Sequence, residues 1–285
     1  MTTESIFGAD SNTYANIFTY MGLPLSRDLS DEVDAVVMGV PYDLATTGRS
    51  GTRFGPTGVR QASSILRWEK ARWPWKFDLQ ERLNIIDYGD ITFQDGNHEE
   101  MTELVTETAA EIMAAGKTLL TLGGDHFITL PLLRAAHRVH GELAMVHFDA
   151  HADADDDGKY NHGAMFFHAP REGLIDPKAT VQVGIRTQYP YDIHEFKVIH
   201  GPEANDLSAA EIAAQIKAVV GDRKVYLTFD IDCLDPAYAP GTGTPVSGGI
   251  TSNKAMQIIR ELGDLDIVAM NLMEGAPSYA SGEDR

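Results

Sequence analysis

Short apolar runs alternate with amphipathic stretches along most of the chain. Eight of the runs are predicted strands, and most of these are almost continuously apolar, which is typical of parallel strands covered on both faces. The predicted strands are residues 35–40, 83–88, 118–122, 143–148, 181–185, 196–199, 225–229 and 267–272.

Five of the intervening stretches are predicted helices, and most of them stop at a glycine. They are residues 56–70, 99–115, 127–140, 208–220 and 252–262. Repeated alternation of strands and helices predicts a parallel α/β protein, either a barrel or an open doubly wound sheet. In both architectures, functional residues collect at the carboxyl ends of the strands.

Length and composition favour a single α/β domain over residues 1–285, with residues 1–30 as an N-terminal extension. That extension lacks the basic-then-apolar pattern of a signal peptide. No apolar run approaches the ~20 residues needed to span a bilayer. The single cysteine, Cys233, suits a reducing cytoplasm and is expected in the core.

The formal net charge of −19 argues against nucleic acid as a partner, because phosphate binding needs basic patches. The negative charge keeps the surface soluble. A second interpretation is that its field attracts cationic substrates or metal ions.

Potential metal ligands follow three of the predicted strands. Gly123-Gly124-Asp125-His126 follows the third strand, Asp149-Ala-His-Ala-Asp153 the fourth, and Asp230-Ile-Asp232 the seventh. Side chains two positions apart on an extended strand point to the same side, so residues 149, 151 and 153, and likewise residues 230 and 232, are expected to face one point. Taken singly, these segments also read as a tight turn, a helix cap and an Asp-Pro turn. Together, and without Asp125, they place two imidazoles and four carboxylates at one sheet edge, a set that suits two divalent ions such as manganese.

These segments strongly resemble the motifs of the ureohydrolases, the arginase/agmatinase family, and are closest to those of bacterial agmatinases. The resemblance covers residues 33–277 and includes residues 51–60 and 184–186. It implies a three-layer α/β/α sandwich around a mostly parallel eight-stranded sheet, and homo-oligomers such as trimers or hexamers.

The resemblance also implies two manganese ions per subunit and a bridging hydroxide that attacks a guanidinium carbon to release urea. One ion would take His126, Asp149, Asp153 and Asp230, and the other Asp149, His151, Asp230 and Asp232. Asp153 would also orient the hydroxide. His162 matches the proton-shuttling histidine, and Glu274 matches the acid that binds the substrate guanidinium.

The loop after the second motif bears on the substrate. Residues 154–160 contain neither the Asn nor the Ser that binds the α-amino and α-carboxylate groups of the substrate in the arginase pattern. Their absence favours agmatine over arginine as the substrate. Asp155, Asp156 and Asp157 either attract an ammonium tail or form a solvated acidic loop. A 4-guanidinobutyrate or 3-guanidinopropionate hydrolase remains an alternative, with Lys159 as its only obvious carboxylate reader.

The carboxyl end departs from the family pattern. Asn271 replaces an acid, Gly275 replaces a β-branched residue, and the family's final helix is missing. These departures predict a poorly held Glu274. They leave open a non-catalytic, metal-binding paralogue that serves as a structural or regulatory subunit. Separately, the three tryptophans of residues 68–75 predict a packing or subunit-contact role.

Overall fold

A computed structural model describes residues 17–69, 71, 73–189 and 195–280. The predicted N-terminal extension and the last residue of the first predicted helix fall partly or wholly outside these ranges. The strands are β1 Ala35–Val40, β2 Ile85–Asp90, β3 Thr118–Gly123, β4 Leu143–Phe148, β5 Ile175–Ile185, β6 Lys197–His200, β7 Val225–Asp230 and β8 Ile267–Met273. The helices are α1 Gly55–Ser63, α2 His98–Ala114, α3 Thr129–His140, α4 Met165–Arg171, α5 Gly201–Asp206, α6 Ala209–Val220 and α7 Ser252–Glu261.

The strands form one open sheet in the order β2-β1-β3-β8-β7-β4-β5-β6, and every neighbouring pair is parallel. The open order excludes the barrel. Each of the eight predicted strands is present. β8 occupies the centre, with Met270 level with Leu120 on one side and Leu227 on the other.

Helices cover both faces of the sheet. The buried side chains of α2, α3 and α4 pack on one face, and those of α5, α6 and α7 pack on the other. Val59 of α1 packs on the second face against Val37 and Leu122. The fold is therefore the predicted three-layer α/β/α sandwich.

The predicted helices agree with the structure except in length and in two omissions. α1 ends at Ser63 and continues as a 3₁₀ turn to Arg67. α4 and α5 were not predicted, because segments of seven and six residues are too short to display a helical period. Ser208 and Glu211 form the expected capping box at the start of α6.

Within the described part of the chain, no helix is both long and apolar enough to cross a bilayer. Trp68, Trp73 and Trp75 are exposed, at 67%, 78% and 53% respectively, so the packing alternative for them is wrong for the isolated chain. The guanidinium of Arg260 lies 5.8 Å from the Trp73 ring and 5.9 Å from that of Trp75. A subunit contact at these rings stays a prediction.

Replacing Arg60 is expected to destabilise the fold strongly. Its guanidinium donates two bonds to buried Asp87, at 2.8 and 2.9 Å, and a further one to Asp90. Arg60→Met would leave the Asp87 charge buried and unpaired, which lowers the free energy of unfolding by about 3–5 kcal/mol. Arg138→Met, which breaks an exposed pair with Glu107, should cost under ~1 kcal/mol. Similar losses for the two variants in urea-induced unfolding would contradict this prediction.

Candidate metal centre and active site

The predicted site residues lie at the carboxyl ends of the four central strands, β3, β8, β7 and β4. Close backbone packing positions the first of them. A Cβ atom on Gly124 would collide with the Tyr42 carbonyl, so the glycine allows the chain to turn directly into His126. Asp125 is buried, and its carboxylate binds backbone groups instead of joining the predicted metal ligands. Its carboxylate accepts bonds from Ala45 N and Phe127 N, at 2.9 and 3.1 Å.

One group of ligating atoms surrounds His126. Its Nδ1 lies 3.0 Å from Asp149 Oδ2, 2.9 Å from Asp153 Oδ2 and 3.2 Å from Asp230 Oδ2. The other ring nitrogen, Nε2, is 2.8 Å from Thr228 Oγ1. His126 Nδ1 and Asp153 Oδ2 are buried and make no well-formed hydrogen bond. Buried nitrogen and oxygen atoms that lack hydrogen-bond partners and converge on one point are suited to bind a cation.

A second group adjoins the first through Asp149. His151 Nδ1 lies 3.1 Å from Asp232 Oδ2 and 3.4 Å from Asp149 Oδ1. The two oxygens of Asp149 therefore face different groups, as a bridging carboxylate requires. Asp230 faces only the first group through Oδ2, while its Oδ1 accepts a 2.8 Å bond from Asp232 N.

The carboxylates in these groups repel one another in a buried setting. Burial and the charge of Asp149 raise the pKa of Asp153 to about 7 and that of Asp232 to about 6. Burial together with the charges of Asp232 and Asp149 also raises the pKa of Asp230. Divalent cations would offset this repulsion, and oxygen donors with two imidazoles suit hard or borderline ions. The residues present therefore fit a binuclear metal site.

The reason for this convergence differs from the predicted one. Strand alternation was expected to align residues 149, 151 and 153, but β4 ends at Phe148 and Asp153 has a left-handed φ of 48°. Asp232 likewise lies in a 3₁₀ turn after β7 and not on the strand. Cys233 lies in the same turn and is buried, 3.5 Å from the Val183 carbonyl, so its core position is confirmed.

His147 is a residue of the site that was not predicted. Gln182 Nε2 donates to the Ala152 carbonyl at 2.8 Å and lies 3.0 Å from His147 Nδ1. His147 Nδ1 must then accept, so Nε2–H donates to Asp149 Oδ2 at 2.7 Å. Burial lowers the pKa of His147 to about 4 and keeps the ring neutral. Its position two residues before Asp149 on a strand was the available signal.

Removing the His147 donor is expected to weaken metal binding. His147→Leu leaves Asp149 Oδ2 without this bond and should raise the manganese dissociation constant about 10- to 100-fold. His147→Gln retains an amide group in the side chain and should bind nearly as tightly as the wild type. Isothermal titration of the metal-free protein measures both, and wild-type affinity in the Leu variant would contradict the assignment.

Glu274 and His162 form a buried pair beside the first group. Glu274 Oε1 accepts from His126 N and lies 2.8 Å from His162 Nδ1. Its backbone N–H donates to the Gly124 carbonyl at 2.9 Å. The prediction of a poorly held Glu274 is therefore wrong. Its Oε2 is buried without a hydrogen bond. Its φ of 61° is left-handed, a strained backbone conformation that these contacts maintain.

A cavity of about 140 Å³ opens onto these groups. His151, Asp153, Asp155, His162 and Asp230 line it together with seven residues that are not charged. Among the described residues, its lining includes no lysine or arginine. The larger cavities beside Leu66, Met256, Thr102 and Leu23, the first of about 620 Å³, are lined by none of the predicted site residues.

Comparison with known proteins agrees with this geometry. The model of the Arginase family matches residues 33–285. An agmatinase from Edwardsiella ictaluri is 51% identical over 276 residues, which cover 96% of this chain and 90% of that protein.

Two solved structures share the fold. A hypothetical agmatinase from Burkholderia thailandensis has 46% identity and a TM-score of 0.90 over 95% of this chain and 86% of that one. Proclavaminate amidino hydrolase from Streptomyces clavuligerus has 37% identity and a TM-score of 0.88 over 95% and 93%. The chain therefore belongs to the Arginase family and is an enzyme of the ureohydrolase class.

Proposed function

We propose that the protein hydrolyses agmatine to urea and putrescine with two manganese ions. The observation that carries this proposal is the pairing of a binuclear ligand set with Glu274, whose free Oε2 is buried beside it. A carboxylate oxygen without a hydrogen bond is suited to a guanidinium N–H. Relatives about 50% identical over nearly the whole chain are agmatinases.

In this proposal the two ions, when bound, supply hydroxide near neutral pH and stabilise developing negative charge. His126, Asp149, His151, Asp153, Asp230 and Asp232 would hold them. Glu274 orients the guanidinium, and Asp153 orients the nucleophile. His162, which is nearly buried and hydrogen-bonded to Glu274, passes a proton to the leaving amine.

Asp155 supports a substrate with a cationic tail. It lines the cavity two residues after Asp153, whereas Asp156 does not. Burial and the charge of Asp157 raise its pKa, whereas the charge of His151 acts in the opposite direction. No lysine or arginine among the described residues forms an ion pair with its carboxylate. Lys159, the candidate reader of a substrate carboxylate, is not in the cavity lining.

Neutralising Asp155 is expected to reduce selectivity for the ammonium tail. Asp155→Asn should lower kcat/KM for agmatine about fivefold, the effect of one partly exposed ion pair. The rate with butylguanidine, which has the same chain without the ammonium, should not change. Asp156→Asn is the matched control. An equal loss with both substrates would contradict this role.

Urea release from agmatine, with and without added manganese, tests the proposed function. 4-Guanidinobutyrate, 3-guanidinopropionate and arginine should release urea far more slowly. Urea release from another guanidino compound but not from agmatine would make that compound the proposed substrate in place of agmatine. Full metal binding without any release of urea would favour the alternative of a non-catalytic subunit. The firm placement of Glu274 argues against that alternative. We also propose that the protein is cytoplasmic and forms a homo-oligomer, a trimer or a hexamer. Size-exclusion chromatography with light scattering tests the oligomeric state.

A further inference from the structure

Thr47 makes two contacts with the same nitrogen of His162. Its backbone N lies 2.8 Å from His162 Nε2, and its hydroxyl Oγ1 lies 2.7 Å from that atom. The opposite ring nitrogen, Nδ1, is occupied by Glu274 Oε1 at 2.8 Å. His162 is therefore held at both ends of its ring.

The loop that carries Thr47 is itself fixed on the site. Asp125 Oδ2 accepts from Ala45 N at 2.9 Å, and the Ala45 carbonyl accepts from His162 N at 3.1 Å. Thr47 lines the cavity mouth and is exposed, whereas His162 is nearly buried. The loop thus places one hydroxyl between solvent and the inner imidazole.

The two groups of Thr47 suit opposite protonation states of His162. The backbone N–H can only donate, so it satisfies a neutral ring whose Nε2 carries a lone pair and whose Nδ1–H donates to Glu274. A protonated ring carries hydrogen on Nε2, and only the Thr47 hydroxyl oxygen can accept it there. A residue that moves protons must occupy both states.

We propose that Thr47 is a positioning residue for the proposed proton transfer, holding His162 in one orientation in both its charged and its neutral form. The inference rests on the function proposed for His162 and adds a residue that the family motifs did not identify. Three carboxylates face His162 from other elements, namely Glu274, Asp153 and Asp125. They remain in every variant below, so the comparison isolates the hydroxyl.

The test compares Thr47→Ser with Thr47→Ala, which differ by one oxygen atom. Loss of the acceptor disfavours the charged ring, while the backbone N–H still satisfies the neutral ring. The pH at which half of the His162 rings are protonated, the titration midpoint, should therefore fall by about one pH unit in Thr47→Ala. This is the size expected for the loss of one hydrogen bond to a charged group. Thr47→Ser should keep the wild-type midpoint. Thr46→Ala, which removes a hydroxyl bound to the Asp43 carbonyl, is the control.

Nitrogen-15 NMR of histidine-labelled, metal-free protein measures the midpoint directly and does not depend on agmatine turnover. In the manganese-loaded enzyme, the pH profile of kcat/KM should shift in the same direction in Thr47→Ala. Equal His162 midpoints in the Ser and Ala variants would overturn the inference even if agmatine is hydrolysed. Absence of urea release would reject only the proposed function.

The wild-type protein supplies a measurement that is independent of any variant. The Thr47 N–H requires the neutral His162 ring to carry its hydrogen on Nδ1. The same spectra distinguish the two tautomers at high pH. A neutral ring with hydrogen on Nε2 would overturn the inference, whether or not Thr47→Ala folds.

Discussion

Asp230→Ala is expected to bind almost no manganese and to lose urea release by about 1,000-fold or more, whereas Asp232→Ala should keep about one ion per subunit. The proposed ligand sets place Asp230 in both metal positions and Asp232 in only one. In the structure, Asp230 Oδ2 lies in the first group, 3.2 Å from His126 Nδ1. Asp232 Oδ2 lies in the second group, 3.1 Å from His151 Nδ1, and accepts a 3.2 Å bond from Thr244 Oγ1. The unequal loss therefore tests the proposed bridging role of Asp230. The expected loss of rate corresponds to about 4 kcal/mol of transition-state stabilisation.

Metal content measured by inductively coupled plasma mass spectrometry, after dialysis against a fixed manganese concentration, tests the inequality. Asp264→Ala is the control, because that carboxylate is exposed and pairs with Lys217 at the surface. Asp149→Ala should match Asp230→Ala, because its two oxygens face different groups. Full metal retention in both the Asp230 and the Asp232 variant would refute the ligand assignment.

Glu274→Gln is expected to lower kcat/KM for agmatine at least about 30-fold with little change in metal content. The amide keeps the shape and can still accept the 2.8 Å bond from His126 N. It removes the charge that would pair with the guanidinium, and the loss of one partner of a buried charge pair costs about 2–5 kcal/mol.

Glu107→Gln provides the matched control, because it makes the same chemical change at an exposed carboxylate paired with Arg138. Metal stoichiometry is measured in parallel to separate guanidinium binding from damage to the metal centre. Wild-type kinetics in Glu274→Gln would remove this residue from the proposed mechanism. A loss that follows metal content alone would assign it a structural role.

The local sequence pattern was sufficient to predict the strands because most of them contain a buried, nearly continuous apolar run bounded by polar turns. The same pattern could not supply the sheet order, since the insertion of β8 between β3 and β7 depends on packing between distant segments. α4 and α5 escaped prediction because they are held by tertiary packing and not by a long amphipathic repeat.

The sequence motifs alone indicate the six proposed metal ligands, but they do not give the reason why these residues converge. Asp153 reaches His126 through a left-handed backbone conformation, which side-chain alternation does not predict. His147 and Thr47 act through hydrogen bonds to other site residues. Thr47 contacts His162 from 115 positions away in sequence, so no local pattern reports that contact.

The secure placement of Glu274 also could not be read from the sequence. Gly275, which replaces a β-branched residue of the family pattern, suggested a loosely packed strand end. A Cβ atom at this position would contact only the Gly55 Cα, at 3.9 Å, so the missing side chain removes little packing. Glu274 is held instead by contacts with Gly124, His126 and His162. These lie in two earlier segments of the chain.

The central position of β8 has a consequence for synthesis of the protein. β2-β1-β3 and β7-β4-β5-β6 join only through β8, which is the last of the eight strands in chain order. Both half-sheets therefore leave the ribosome with an unpaired inner edge, a state prone to pairing with other chains. Addition of β8 closes both edges and delivers Glu274 in the same step. Completion of the fold and assembly of the proposed catalytic centre are thus a single late event in the life of the nascent chain.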